Sequence, residues 1–341
     1  MTITKMTITN MMISHSTSDT LKIAIPSKGR LQENTLGFFA RAGLSMAQEG
    51  GSRDYRGIIK NLPGVEILFL SASDIVAKLA AGEAHFGVTG EDLIREVMPD
   101  NDKSLELLAP LGFGNADVVV AVPKGWIDAS TMEDLEEIAA DFHARHGGRM
   151  RVATKYVNIT RRYFAEHGVA DYRIVESLGA TEGTPASGTA EFIVDITSTG
   201  STLEANALKV LDDGVMLRSQ ANLVASLVAP WSPEALKLAR QLLGRISAEQ
   251  TARTNRDLVV TAKANLIAKL TAGLDARTTT STFPRDESLQ TITLRVVAKE
   301  ATTLSERLIA GGAERVTISD ASYVFEEQSP LFDRLAERLK A

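Results

Sequence analysis

The sequence predicts an α/β protein of two lobes, each a largely parallel sheet covered by helices, followed by a smaller βαββαβ module. Three observations lead there. From Leu21 onward, short β-branched runs alternate with amphipathic segments, the pattern of strands and their covering helices. The run Asp117-Val-Val-Val-Ala-Val-Pro123 restarts that alternation, so a second series follows the first. From residue 256 the order becomes strand, helix, strand, strand, helix, strand, which is ferredoxin-like.

Residues 1–20, MTITKMTITNMMISHSTSDT, carry one Lys, several Thr and Ser and no continuous apolar core, so they fit neither a signal peptide nor a membrane span and read as a loose extension. In the first lobe, strands are expected at 21–26, 65–70, 85–89 and 105–111, and helices at 34–43, 73–81 and 91–97. The last of these helices starts directly after Gly90, with Glu91 and Asp92 in its first turn. In the second lobe the order is helix 131–146, strand 150–154, helix 158–167, strands 172–177 and 191–196, and helix 202–211. Residues 215–228 read as extended. Ser232-Pro233-Glu234 then supplies an N-cap, a first-turn proline and an acidic first turn for a helix reaching about 254, and the chain crosses back to the first lobe here. The expected domains are therefore a first lobe over 21–113 and 207–255, a second over 114–206, and a regulatory or assembly domain over 256–341. That last domain has strands 257–262, 278–283, 289–298 and 315–319, helices 263–273 and 301–311, and a final helix opened by Ser329-Pro330.

Composition narrows the function. The 341 residues hold 37 Lys+Arg against 43 Asp+Glu, a net charge of −6, whereas a nucleic-acid binder that works by counterion release wants a basic face. Zero cysteines exclude disulfides, thiolate metal sites and a Cys nucleophile. No charge-free apolar stretch approaches 18 residues, so no membrane partner is expected and the chain reads as cytoplasmic.

The most informative stretch is Glu191-Phe-Ile-Val-Asp195-Ile-Thr197-Ser198-Thr199-Gly200-Ser201-Thr202-Leu-Glu-Ala-Asn206. A hydrophobic strand ends on a carboxylate, and a loop of small hydroxyl residues around one glycine then opens a helix. Such a loop presents N–H groups and hydroxyls to an anion, and the helix N-terminus adds its positive dipole end. Asp195 suits a sugar hydroxyl or a phosphate-bound Mg²⁺. The same residues also serve simply as a helix cap and a strand end. The nucleotide pattern G-x-x-x-x-G-K-[ST] is absent. His143 and His146 share a helix face but lack a third ligand, and His85 and His167 read as structural.

The spacing Gly179, Glu182, Pro185, Gly188, Asp195 and the run DITSTGSTLEAN resemble the phosphoribosyl-pyrophosphate signature of the ATP phosphoribosyltransferase family. Pro26-Ser27-Lys28-Gly29-Arg30-Leu31, Ser73-Asp74-Ile75, Gly87-Val88-Thr89-Gly90-Glu91-Asp92-Leu93 and Arg151-Val-Ala-Thr154-Lys155-Tyr156 agree in order, so the likeness spans 21–228. Glu191 stands where the family has Asp. The resemblance implies a two-lobed catalytic region like type II periplasmic binding proteins, with the long form's C-terminal domain. It implies transfer of phosphoribosyl from phosphoribosyl pyrophosphate to N1 of the ATP adenine with Mg²⁺ present, the first step of histidine biosynthesis. It also implies a homo-oligomer, dimer or hexamer, and histidine as inhibitor. By the same resemblance, Lys28, Arg30 and Asp195 are the catalytic candidates, and Arg30, Asp74, Gly90, Glu91 and Asp92 form the ATP site. Lys155, Glu182, Asp195, Thr197, Ser198, Thr199, Gly200, Ser201 and Thr202 receive phosphoribosyl pyrophosphate, with Asp195 on the metal. A two-lobed solute-binding protein and a catalytically silent regulatory paralogue are the competing readings. The missing export signal speaks against the first and the intact 195–206 loop against the second.

Overall fold

The computed structural model describes residues 19–48, 55–98, 103–274, 281–284 and 288–340; the extension expected over 1–20 lies outside them but for its last two residues. Lobe I opens with β1 (Leu21–Pro26), α1 (Gly29–Arg41), β2 (Met46–Gln48), β3 (Arg56–Ile59), β4 (Val65–Leu70), α2 (Ala72–Ala80), β5 (Phe86–Gly90), α3 (Glu91–Val97) and β6 (Leu105–Pro110). Lobe II holds β7 (Ala116–Pro123), α4 (Met132–His146), β8 (Met150–Thr154), α5 (Val157–Glu166), β9 (Tyr172–Glu176), β10 (Phe192–Thr197), α6 (Ser201–Ala205) and β11 (Leu208–Ser219). The chain returns to lobe I through β12 (Ala221–Ser226) and α7 (Pro233–Thr254). It then builds β13 (Asn255–Lys263), α8 (Ala264–Thr271), β14 (Ser281–Pro284), β15 (Leu289–Val297), α9 (Ala301–Ala310) and β16 (Arg315–Ser319), and closes with α10 (Pro330–Arg338).

Among the described residues the strands form three sheets, ordered β2-β3-β4-β1-β5-β12-β6, β11-β7-β10-β8-β9 and β14-β15-β13-β16. In lobe I, β1 runs parallel to β4 and β5, and β12 returns antiparallel between β5 and β6. Successive residues of β1 serve opposite faces, as the two-residue strand period requires. Ile23 and Ile25 pack with Phe39, Phe86 and Leu242 on one side, and Ala24 with Ile75, Leu79 and Val224 on the other. Lobe II repeats the plan: Val118, Val120 and Val194 pack with Phe164 and Phe192, while Val119, Ala121 and Ile193 face Leu203 and Leu208. The third sheet is antiparallel and has the strand order of a ferredoxin-like domain, with Leu258, Val260, Ile292 and Leu294 against Leu304 and Leu308.

The structure departs from these expectations in several places. The helix expected over 202–211 stops at Ala205, because Ala207 takes a left-handed φ of 55° and the following residues pair with β7. The boundary between lobes consequently falls at Ser219/Gln220 rather than 206/207, since β11 belongs to the lobe II sheet. β2 and β3, an antiparallel edge, had no counterpart in the periodicity. Finally, α10 leaves the C-terminal sheet and joins lobe I: Phe332 and Leu335 enter its core, and Arg334 and Arg338 pair with Glu106 of β6 at 2.5 and 2.9 Å.

His85, just before β5, is structural as expected. Its Nδ1 accepts the Lys22 N–H at 3.1 Å, and Nε2 lies 3.3 Å from the Pro230 carbonyl, so the neutral ring with hydrogen on Nε2 fits both partners. Burial, aided by Lys22 and opposed by the Pro230 carbonyl, pushes its pKa down. A lowered imidazole pKa means the unfolded chain binds the extra proton first, so stability is full above about 6.5 and falls as pH drops below that value. Melting temperatures measured from about pH 8 to about pH 5 are expected to decline, and His85→Gln is expected to flatten part of that slope. An unchanged slope in the variant would assign the decline to other groups.

Candidate active site

The lobes are joined by two crossovers, one at 111–115 between β6 and β7 and one at Gln220 between β11 and β12. Between them lies a cleft of about 480 Å³, lined from lobe I by Arg30, Leu31, Asn34, Ala72, Gly90, Asp92 and Leu93, and across the cleft by Ala116, Ile196 and Ser198, with Gly114, Asn115 and Ala221 at the crossovers. The lobe I wall is the carboxyl end of the parallel strands β1 and β5, where ligands gather in open α/β sheets. A second cavity of about 420 Å³, between α7 and residues 324–331, contains none of the candidate residues.

On the lobe I wall the candidates divide. α1 begins at Gly29, five residues earlier than expected, so Lys28 is its N-cap and Arg30 sits in its first turn. Gly29 has φ +72°, which turns the chain out of β1 with both cations exposed at its end. Arg30 lines the cleft, whereas Lys28 does not. Asp74 is exposed and occupied by its own helix: its carboxylate accepts the Ser71 hydroxyl at 2.6 Å, and its N–H donates back to Ser71 Oγ at 3.2 Å. Glu91 pairs with Arg95 one turn on, at 3.1 Å. Asp92 is buried at 5% exposure, although it reaches the cleft edge. Gly90 makes room for it, since a Cβ there would collide with Asp92 Oδ1.

On the lobe II wall, the hydroxyl loop is held by its own side chains. Thr197 Oγ1 accepts the Gly200 N–H at 2.9 Å, Thr199 and Ser201 share a hydroxyl bond of 2.9 Å, and Ser198 donates to the Asn115 carbonyl at 3.0 Å, tying the loop to the crossover. Gly200 at φ +75° makes the tight turn into α6, and Ser198, Thr199, Ser201 and Thr202 stay exposed. Asp195 lies in β10, level with Val119 of β7, and accepts the Ile196 N–H at 2.8 Å. Burial pushes its pKa up. The Ile196 N–H and Lys155 act against this, and Glu182, in the turn Thr181–Gly183, adds to it. The ammonium of Lys155 lies 4.9 Å from the Tyr156 ring centre. Glu191, by contrast, holds the sheet together: it takes the Arg151 guanidinium at 2.6 Å and the Arg151 N–H at 2.5 Å. Burial works against ionisation there, but these hydrogen bonds prevail and hold its carboxyl below the usual range.

The cleft thus brings Arg30, Gly90, Asp92 and Ser198 together and leaves Lys28, Asp74, Glu91, Asp195, Thr197, Thr199, Gly200, Ser201 and Thr202 outside its lining, as it does Lys155 and Glu182, which both act on Asp195 within lobe II. Sequence reasoning missed Asn34 and Asn115 of the cleft, and Tyr156, Glu96 and Ser219 behind it. Tyr156 had one signal, its place directly after the cationic Lys155 at the end of β8.

Comparison with known proteins bears on most of the chain. A family model described as ATP phosphoribosyltransferase matches residues 71–248. A protein of Bradyrhizobium sp. (strain ORS 278) is 53% identical over 324 residues, covering 95% of this chain and 100% of its own. One of Nitrobacter winogradskyi is 54% identical over 315 residues, covering 92% and 97%. Both are named ATP phosphoribosyltransferase. A solved chain described as an ATP phosphoribosyl transferase (HisG:HisZ) complex from Thermotoga maritima superposes with TM-score 0.50 at 27% identity, over 66% of this chain and 98% of that one.

Proposed function

The chain belongs to the ATP phosphoribosyltransferase family, and from that premise we infer that it transfers phosphoribosyl from phosphoribosyl pyrophosphate to N1 of the ATP adenine and releases pyrophosphate, the opening step of histidine biosynthesis. The observation that carries this reading is the single cleft with Arg30 and Gly90 on one wall and the hydroxyl loop at Ser198 on the other. A transfer between two bound molecules needs them on facing surfaces, because holding both in line replaces a bimolecular encounter.

The adenine nitrogen supplies the electron pair for the new C–N bond, and the anomeric C–O bond breaks with its pair leaving on pyrophosphate. No protein nucleophile takes part. The protein's work is to orient and to stabilise the charge that gathers on the departing diphosphate. Thr197 to Thr202 suit that diphosphate, Asp195 and Glu182 suit the ribose, and Lys155 offsets charge beside them. Arg30, with Lys28 just before it, suits phosphate oxygens, and Gly90 with Glu91 shapes the ATP side.

Mg²⁺ fits this arrangement in a limited way. Among the described residues no cluster of three His, Cys, Asp or Glu forms a metal cage, while Asp195 and Glu182 place two carboxylates within electrostatic reach of one another. Such a pair suits an ion held mainly by substrate phosphates and water with one or two carboxylates, as Mg²⁺ prefers. Bound there, it supplies neutralisation of the diphosphate charge. Histidine feedback through the ferredoxin-like domain, assembly into a homo-oligomer and a cytoplasmic setting, where both substrates are made, belong to the same reading. No helix among the described residues is long and apolar enough to cross a membrane.

Pyrophosphate release is expected only when ATP, phosphoribosyl pyrophosphate and Mg²⁺ are present together. Release that persists without ATP would overturn the assignment.

A further inference from the structure

Beyond the crossovers, the two lobes meet at a buried polar joint. α3 of lobe I carries two carboxylates one turn apart, Asp92 and Glu96, exposed by only 5% and 9%. Both are committed to lobe II. Asp92 Oδ2 accepts the phenol of Tyr156 at 2.8 Å, and Oδ1 accepts the Ser219 hydroxyl at 2.7 Å, whose oxygen in turn accepts the Asp92 N–H at 3.0 Å. The Glu96 carboxylate accepts the N–H groups of Asn158 and Ile159 at 2.9 to 3.0 Å, and Asn158 Nδ2 donates to the Glu96 carbonyl at 2.8 Å.

Those two N–H groups belong to the first turn of α5, where a helix leaves donors without intrahelical partners. The helix's own N-cap residue, Tyr156, makes no capping bond with its side chain. A carboxylate of lobe I therefore caps a helix of lobe II. Burying carboxylates is costly unless every lone pair is well met, and apolar side chains would hold two lobes together at less cost. What a fully met polar joint adds is a defined angle, because its bonds tolerate little displacement.

We propose that Tyr156, Asp92 and Glu96 are positioning residues that preset the angle between the two walls of the cleft, so that transfer occurs in a site already at its working width. This rests on the reading that ATP and phosphoribosyl pyrophosphate occupy opposite walls. The joint adjoins the cleft: Asp92 lines it beside Gly90, and Tyr156, which holds Asp92, directly follows Lys155 in the chain. Asp92, with both carboxylate oxygens taken by protein donors, acts through this joint rather than as an ATP ligand.

Two measurements on the full chain test it. Because the protein has no cysteine, Ala40→Cys and Glu137→Cys, both at exposed helix positions, give one spin label on each lobe. The interlobe distance distribution should be narrow and unmoved by phosphoribosyl pyrophosphate with Mg²⁺, and it should broaden in Tyr156→Phe and Glu96→Gln. In steady-state assays Tyr156→Phe and Asp92→Asn should each lower kcat by about 10- to 100-fold. The Kd and full stoichiometry for phosphoribosyl pyrophosphate should stay within about twofold, and the double variant should lose little more than either single one. Partial unfolding would instead lower the binding stoichiometry, and a direct substrate contact would weaken the Kd. A wild-type distribution that shifts by several ångströms on substrate addition, or a folded Tyr156→Phe protein with either unchanged distances or unchanged kcat, overturns the proposal. The distance measurement needs no turnover, so failure of the proposed reaction is told apart from failure of the joint.

Discussion

Asp195→Asn is expected to lower kcat/KM for phosphoribosyl pyrophosphate by about 10²- to 10³-fold, the scale on which a group aimed at transition-state charge acts, while the protein melts as before. Asp195 sits in β10, where the Ile196 N–H fixes one oxygen and Lys155 and Glu182 act on its charge. An amide preserves the shape and removes the charge, so chemistry suffers and packing does not. Thr202→Ala makes the informative contrast in the same loop. If its hydroxyl meets the diphosphate, its loss costs roughly 1–3 kcal/mol of binding, the range for an unmet or charged hydrogen bond. If it only stands at the start of α6, where Gly200 is the N-cap and no side chain caps the helix, its loss leaves affinity and stability nearly unchanged. Diphosphate titrations with parallel melting curves separate the two, and unaltered affinity in both variants would reduce the loop to a helix start.

Removing α10 by ending the chain at Gln328 is expected to destabilise lobe I by about 3–6 kcal/mol, the burial worth of two large apolar side chains. Phe332 is 6% exposed and Leu335 fully buried in the lobe I core, and the Arg240 guanidinium lies 4.2 Å above the Phe332 ring. Both arginines that meet Glu106 go with the helix. Arg334→Ala alone should matter far less, about 1 kcal/mol, because that side chain is half exposed and Arg338 remains. Denaturant midpoints of the two variants against the full chain give the comparison. A truncated protein as stable as the full chain would show that Phe332 and Leu335 cover surface the lobe can leave wet.

The central strands were legible because they are short apolar runs buried on both faces, as with Leu21 to Pro26, parallel to both of its neighbours, and Val118 to Val122, antiparallel to both of its own. The hydroxyl loop was legible because its chemistry is local: a strand, a carboxylate, a glycine and the start of a helix lie within twelve residues. What escaped was non-local or short. β2 and β3 have three and four residues, too few for a period to register. The α10 pattern marked a helix correctly but carried no sign of which surface it would cover. Glu91 and Asp92 looked like ordinary acidic company for a helix dipole, and only the folded chain shows that Asp92 meets a tyrosine 64 positions away. Lys28 and Asp74 show the converse, since a suggestive residue can stand near a site and still be absent from its lining.

The manner in which the ferredoxin-like domain is spliced into the chain has a mechanical meaning. Its first and last strands, β13 and β16, are neighbours, with Asp257 opposite Ser319 and Arg256 bonded to Asp320 at 2.5 Å. The domain therefore departs from and returns to lobe I at one spot, as a cassette plugged between α7 and α10. With the two strand ends side by side, both attachments of the cassette sit at one point, and α7 and the segment leading to α10 are its covalent routes to lobe I. Excising 256–320 and bridging the adjacent ends keeps α10 on lobe I, so the catalytic body can be assayed without its cassette, whereas simple truncation at Asn255 would strip part of the lobe I core as well.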